Sequence, residues 1–332
     1  MQASVLVFLI GTTLWGETHR VEATRFYHSF DHRHPVLARL KSGDRVETRT
    51  LDAGGYDHLG QKRAERGNPL TGPFYLEGAE PGDSIAVRID RLRMNRDYGY
   101  TSFRLGLFSL APESIEGLYP RAYRRGAVVA DRDDIVKWRI DLAKNTVRLL
   151  EPVSKVHPLE FAARPMLGCI GVAAPGVFGP TSGISGSYGG NLDYNEIVEG
   201  TTVLLPVYHP GALLFVGDGH ALQADGEPTG TGVETSMDLA MTITLRKKEP
   251  LENPRVETPT HIISIGSQPE FVSSLDRSIR IATSDMVNWL TRDYGMETWA
   301  AHLLIGYQGR YDVVTVAGSM ALRLPRTALP KK

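Results

Sequence analysis

Residues 189–234 read GGNLDYNEIVEGTTVLLPVYHPGALLFVGDGHALQADGEPTGTGVE and gather acids, amides and imidazole around two apolar runs, 203–207 and 212–216. Asn191 and Asp193 come before the runs; Asp218, His220, Gln223, Asp225, Glu227 and Glu234 come after them. Carboxylates at strand ends are costly to bury unless they share a proton, a metal or a substrate, so this stretch is the candidate site. The residue types suit a metal-activated water: a hydrolytic zinc site uses about three nitrogen or oxygen ligands and keeps one position for water, whose pKa falls to about 7. Asp218 and His220 stand two apart, so on a strand they share a face, and Gly217 and Gly219 let the backbone bend around an ion. Asp52, in TLDAGG at the end of an expected strand, is the third expected ligand, and Asp193 is counted with them, although after two glycines it could equally satisfy backbone amides. Glu234 or Glu227 is the expected base, with Asp225 as a further catalytic acid, while Asn191 and Gln223 are placed to hold a substrate. Taken alone, Asp225-Gly226 is an ordinary hairpin-turn dipeptide.

Two other nucleophiles fit less well. Cys169 sits among Leu167, Ile170 and Val172, surroundings that raise a thiol pKa and hide the sulfur. Ser182, Ser185 and Ser187 lie in PTSGISGSYGG, which has no Gly-x-Ser-x-Gly elbow between a strand and a long helix. The same glycines lack the GK[ST] ending of a phosphate loop and read as a pocket wall. His157, His209 and the group His28, His32, His34 read as structural or solvated imidazoles.

The GGNLD segment, PVYHPGAL and GDGHALQADGE, together with NPLTGPFYLEGAEPGD at residues 68–83 and LGCIGVAAP at residues 167–175, resemble the acetamidase/formamidase family in the order of their motifs. The resemblance implies hydrolysis of a carbon–nitrogen bond in a small linear amide, giving a carboxylate and ammonia. It makes Asp52 a motif position without fixing its role, and it raises Glu77 from a surface turn residue to a candidate substrate contact; both readings of Glu77 stay open. Two positions depart from the pattern. His209 precedes PGAL where the family usually carries an apolar residue, so an added imidazole is expected to narrow or retune the pocket. Asn68 stands where many relatives have His. The expected cofactor is a divalent metal, zinc; the expected partners are a small amide substrate and further copies of the chain. The competing class is a β-sandwich that binds a metal and a small ligand without turnover, and a second alternative is a lactam or other amide hydrolase of the same family.

With 42% hydrophobic and 23% charged residues among 332, the chain can bury a large core. Lys plus Arg number 37 against 38 Asp plus Glu, a balance that argues against a nucleic-acid groove or an anionic membrane surface. A lone cysteine excludes an intrachain disulfide. Residues 3–14, ASVLVFLIGTTL, are uncharged and of the length of a secretory h-region, too short to span a bilayer as a helix. No Lys or Arg precedes them and Leu14 and Gly16 fill the cleavage positions poorly, so a buried first strand is the alternative. The expectation is a signal peptide over 1–16 and a periplasmic or secreted protein, with the cytoplasm otherwise.

With 34 glycines and 20 prolines the chain favours many short strands. Ile85, Val87 and Ile89 alternate with Ala86, Arg88 and Asp90, and Leu239, Met241, Ile243 and Leu245 with Ala240, Thr242 and Thr244, each set marking a strand with one buried face. Residues 131–150 read as a hairpin turning at Lys144-Asn145, and 247–259 as an aperiodic linker. Helical spacing appears in Leu275, Ile279, Ala282, Met286 and Leu290, with Ser273 and Asp276 as a capping box and Gly295 as C-cap; a shorter helix is expected over 297–305. The fold class expected is mainly β, a sandwich- or barrel-like core over 17–250 with a smaller C-terminal α/β portion over 251–332.

Overall fold

The structure, a computed structural model, describes residues 16–102, 109–111, 113–114, 135–151, 155–267 and 274–331. The apolar stretch 3–14, expected as an export signal, lies outside the described residues, as does Ser273. Strand makes up 41% and helix 13%, so the mainly-β expectation is borne out; the sheets, of nine and eleven strands, stay open rather than closing into a barrel. Among the described residues no helix is long and apolar enough to cross a membrane.

The first sheet is built on alternation. The strand Ser84–Met94 buries Ile85, Val87, Ile89, Leu92 and Met94, and pairs antiparallel with Met237–Arg246, which buries Leu239, Met241 and Ile243. Each such side chain removed from water contributes about 1.5–3 kcal/mol. On its other edge Ser84–Met94 pairs with Thr202–Pro206, and that strand with Arg255–Glu257. The linker expected over 247–259 therefore holds a strand, whose Val256 is fully buried; flanking prolines hid a three-residue run too short to show a period. His261–Gly266, Ser319–Pro325 and Arg310–Thr315 extend the same sheet, so the C-terminal strands continue the order begun by the earlier ones.

The helix Leu275–Tyr294 covers these strands. Its N-cap is Ser274, which accepts from the Arg277 amide at 3.3 Å, one residue beyond the serine expected from sequence, and Gly295 closes it at φ 65. Ala282, Met286 and Leu290 face inward as their spacing requires, joined by Trp289, and pack on Leu204, Ile262, Leu322 and Leu324. The contact is close: a Cβ on Gly266 would meet the Ser278 carbonyl oxygen at 2.0 Å. The second helix, Thr298–Gln308, buries only Ala301 and Ile305.

The second sheet carries the site. At its centre Met166–Gly171, every residue buried, lies between Gly189–Asn191 and Leu214–His220. Leu214–His220 runs past the apolar stretch 212–216 and holds Asp218 and His220 within a fully buried strand. Its first half pairs with Leu70–Leu76 and its end with Glu234–Thr235, which in turn pairs with Tyr98–Ser102. The hairpin expected over 131–150 is present as Ile135–Asp141 and Thr146–Glu151, with Asn145 at φ 54 in the turn; residues 131–134 lie outside the described residues.

Candidate active site

Strand register brings the acids together. His220 lies directly across from Glu234, which fixes both side chains on one face. Asp218 joins them through a backbone twist, its φ of 55 departing from regular strand geometry. Of nine described non-glycine residues with left-handed φ, four are Asn68, Asp193, Asp218 and Glu227, all of which line one cavity of about 590 Å³. Such conformations cost energy unless the surroundings impose them, and their concentration at one cavity marks a functional site. Asp193 is set in place by its amide, which donates to the Gly168 carbonyl at 3.1 Å. Gly168 is required here, because a Cβ would stand 2.5 Å from Asp193 Oδ1 and 2.7 Å from Asp218 Oδ2.

The tautomer of His220 follows from its partners. Gln223 turns one end of its amide to the Asp193 carbonyl oxygen at 2.6 Å, and that end must be Nε2 because a carbonyl only accepts. The other end, Oε1, faces His220 Nδ1 at 2.7 Å, so Nδ1 carries a proton and donates. Nε2 is thereby turned inward, 3.2 Å from Glu234 Oε1 and 3.6 Å from Asp218 Oδ1. His220 Nε2, Asp218 Oδ1, Glu234 Oε2 and Asp193 Oδ1 are all buried without a hydrogen-bond partner.

Four orphaned polar atoms in one enclosed place are costly, and a cation removes the cost. Asp218, His220 and Glu234 each offer a ligand atom within 4.8 Å of the others, and Asp193, His220 and Glu227 form a second such set. Ligand atoms around a tetrahedral zinc, at about 2.0–2.2 Å from it, stand about 3.3 Å apart; the 3.2 and 3.6 Å spacings around His220 Nε2 fit that geometry. A metal-ligating imidazole also normally donates its other N–H to an acceptor, as His220 does to Gln223.

Electrostatics point the same way. Burial, and then Asp218, push Asp193 up to about 7. Burial pushes Glu234 up to about 8 against the opposing pull of His220, with Asp218 adding to it. Glu227, a half-buried residue whose carboxyl is turned into the cluster, is raised well above the usual carboxylate range by burial and by Asp193. Burial alone would lower His220, but Glu234 and Asp218 outweigh it and hold the imidazole well above its ordinary value. These are the shifts of a cluster with more carboxylates than cations.

The expected site residues divide. Asp193, Asp218, His220, Glu227 and Glu234 converge. Asp52 does not join them: its buried carboxylate is taken by Arg96 and by the Tyr56 amide. Gln223 does not face the cavity as a substrate contact, since both ends of its amide are spent on His220 and Asp193. Asn191 lines the cavity, but its Oδ1 accepts from Asn68 at 3.1 Å and from the Cys169 thiol at 2.9 Å, and its Nδ2 donates to Asp193. Asp225 is exposed in a turn of the long loop between His220 and Glu234 and accepts from Asn195 at 2.7 Å. Glu77 is an exposed turn residue after Leu70–Leu76.

Asn68 enters instead, donating from Nδ2 to Asp218 Oδ2 at 2.9 Å. His209 does not narrow the cavity: it stacks on His32 at 4.3 Å and donates from Nε2 to the Ala174 carbonyl oxygen at 2.9 Å, outside the lining. His28, expected to be solvated surface, does line it, anchored to the Glu65 carbonyl at 2.9 Å. Burial, followed by Asp218, Asp193 and Glu234, raises the Cys169 thiol well above its usual pKa. The Ser182 hydroxyl donates to the Gly67 carbonyl at 2.7 Å, and Ser185 bonds Ser267 at 2.6 Å, so neither pairs with an imidazole.

Residues 183–308, which hold most of this cluster, match the model of the Acetamidase/Formamidase family. A Schizosaccharomyces pombe protein provisionally named a formamidase is 24% identical over 261 residues, covering 64% of this chain; the chain spans 61% of that relative's length. The crystal structure of an acetamidase from Yersinia enterocolitica superposes with TM-score 0.77 at 27% identity, over 97% of this chain and 96% of that one. An acetamidase from Bacillus halodurans gives 0.74 at 26%, over 92% and 97%. The resemblance to the acetamidase/formamidase family read from the motifs is thus borne out by family model, curated relative and fold.

Proposed function

We propose that this protein is an amidohydrolase that cleaves the carbon–nitrogen bond of a small linear amide to a carboxylate and ammonia. The observation that carries the reading is the set of four buried, unpartnered atoms on Asp193, Asp218, His220 and Glu234, three of which belong to residues that line the cavity. Asp218, His220 and Glu234 would hold a divalent ion, zinc in this reading. When bound, it would supply Lewis acidity and bring the pKa of a water to about 7.

The chain's own groups account for the rest. Gln223 holds His220 in the tautomer that turns Nε2 inward, and Asn68 steadies Asp218 from the cavity side. Glu227 lines the cavity and, as a carboxylate made more basic by burial, takes a proton from the attacking water and delivers it to the departing nitrogen. Burial, and then Asp193, keep that carboxyl basic. Water adds its oxygen to the carbonyl carbon, the carbon–nitrogen bond breaks, and the nitrogen leaves with the proton that Glu227 returns. The names of the relatives favour formamide and acetamide as first substrates.

The test removes divalent metal with a chelator and follows ammonia release from both amides. Activity should fall to about 1% or less, since the ion is asked for several kcal/mol of the barrier, and should return with zinc. Full activity in protein shown to be metal-free would overturn the reading. Export and self-association belong to the proposal as expectations: N-terminal sequencing of the protein from fractionated cells and sedimentation of the purified chain decide them.

A further inference from the structure

We infer that Tyr100 is a catalytic residue whose hydroxyl donates to the carbonyl oxygen of the bound amide, an inference that rests on the amidohydrolase reading. Tyr100 lies directly across from Glu234, and Glu234 directly across from His220, so the three stand in one row on one face over three neighbouring strands. Tyr100 lines the same cavity as Asp218, Glu227 and Glu234, and its hydroxyl is buried without a hydrogen-bond partner. Arg96 is turned to Asp52 and to the Tyr98 carbonyl.

The space in front of the hydroxyl is kept clear by Gly54, where a Cβ would stand 2.7 Å from it. Asp52 thus has a place beside the site without being a ligand: it pairs with Arg96 and supports the turn that carries Gly54, whose next residue donates its amide to the Asp52 carbonyl at 2.9 Å. Burial raises the phenol, and Asp52 and Glu234 raise it further, so it donates a hydrogen bond without giving up its proton.

The chemistry of an amide selects the acceptor. Its nitrogen lone pair is delocalised and its N–H groups are donors, so the carbonyl oxygen is what a phenol O–H can grip. As water adds, that oxygen gains negative charge and the bond strengthens, which places its benefit in the transition state. No covalent bond to Tyr100 forms and its proton stays in place.

The test compares wild type with Tyr100→Phe on formamide, acetamide and larger linear amides. Removal of one such donor should lower kcat by about 10²–10³-fold, with KM within threefold, bound zinc unchanged and Tm equal to or above that of wild type. A phosphonamidate mimic of the tetrahedral stage should bind the variant more weakly by a similar factor. A kcat within threefold of wild type, or a lowered Tm with an unchanged turnover per folded molecule, would overturn the inference and leave the amidohydrolase reading standing. A wild type inert on every amide overturns both.

Discussion

His220→Ala is expected to lower turnover of formamide and acetamide by about 10³-fold or more and to leave the protein without stoichiometric metal. The imidazole is common to both groups of potential ligands, so its loss disables each of them. Its orientation is fixed twice over, by its place opposite Glu234 and by the Gln223 amide at 2.7 Å. An ion that contributes about 4 kcal/mol of transition-state stabilisation accounts for a factor of about 10³. Metal analysis beside steady-state kinetics checks it: a variant that keeps the ion and more than a tenth of the rate contradicts the assignment.

Glu227→Gln is expected to separate metal holding from proton transfer. The amide keeps the size of the side chain and removes its capacity to accept a proton, so kcat should drop by about 10²–10⁴-fold. The zinc content should stay at that of the wild type, because Asp218, His220 and Glu234 remain. The same substitution at Glu234 should instead cost both. If Glu227→Gln loses its metal while Glu234→Gln keeps it, the two carboxylates have exchanged roles, and the set containing Asp193 is the one that binds.

Periodicity made the framework readable. Alternation at residues 85–89 and 239–245 placed two strands that pair along their length, and helical spacing from Leu275 to Leu290 gave the face that meets the sheet. The two-residue separation of Asp218 and His220 was legible too, even though the chain reaches the shared face through a left-handed φ at Asp218. Short elements were less visible: three residues at Arg255–Glu257 show no period, and the choice between adjacent serines as the helix cap depends on one backbone turn.

What could not be read was long-range competition for side chains. Asp52 looked free to ligate because nothing near it in sequence reveals that Arg96, 44 residues away, takes its carboxylate. Gln223 looked available to a substrate, yet His220, three residues back, and the Asp193 carbonyl use both ends of it. Tyr100 carries no local signal, because its relevance is set by strand register, and Asn68 was visible only as a motif position whose contact to Asp218, 150 residues away, no local pattern reveals. The family likeness covered the motif segments and so pointed to the cluster, but it could not distribute roles within it.

The central claim is that the converging acids and His220 enclose a cation. An anomalous-scattering map at the zinc edge, from crystals of zinc-loaded protein, tests it most directly. The account predicts a strong peak within about 2.0–2.2 Å of His220 Nε2 and of carboxylate oxygens of Asp218 and Glu234. A map with no peak there, and with those carboxylates turned towards one another or towards solvent, would contradict it.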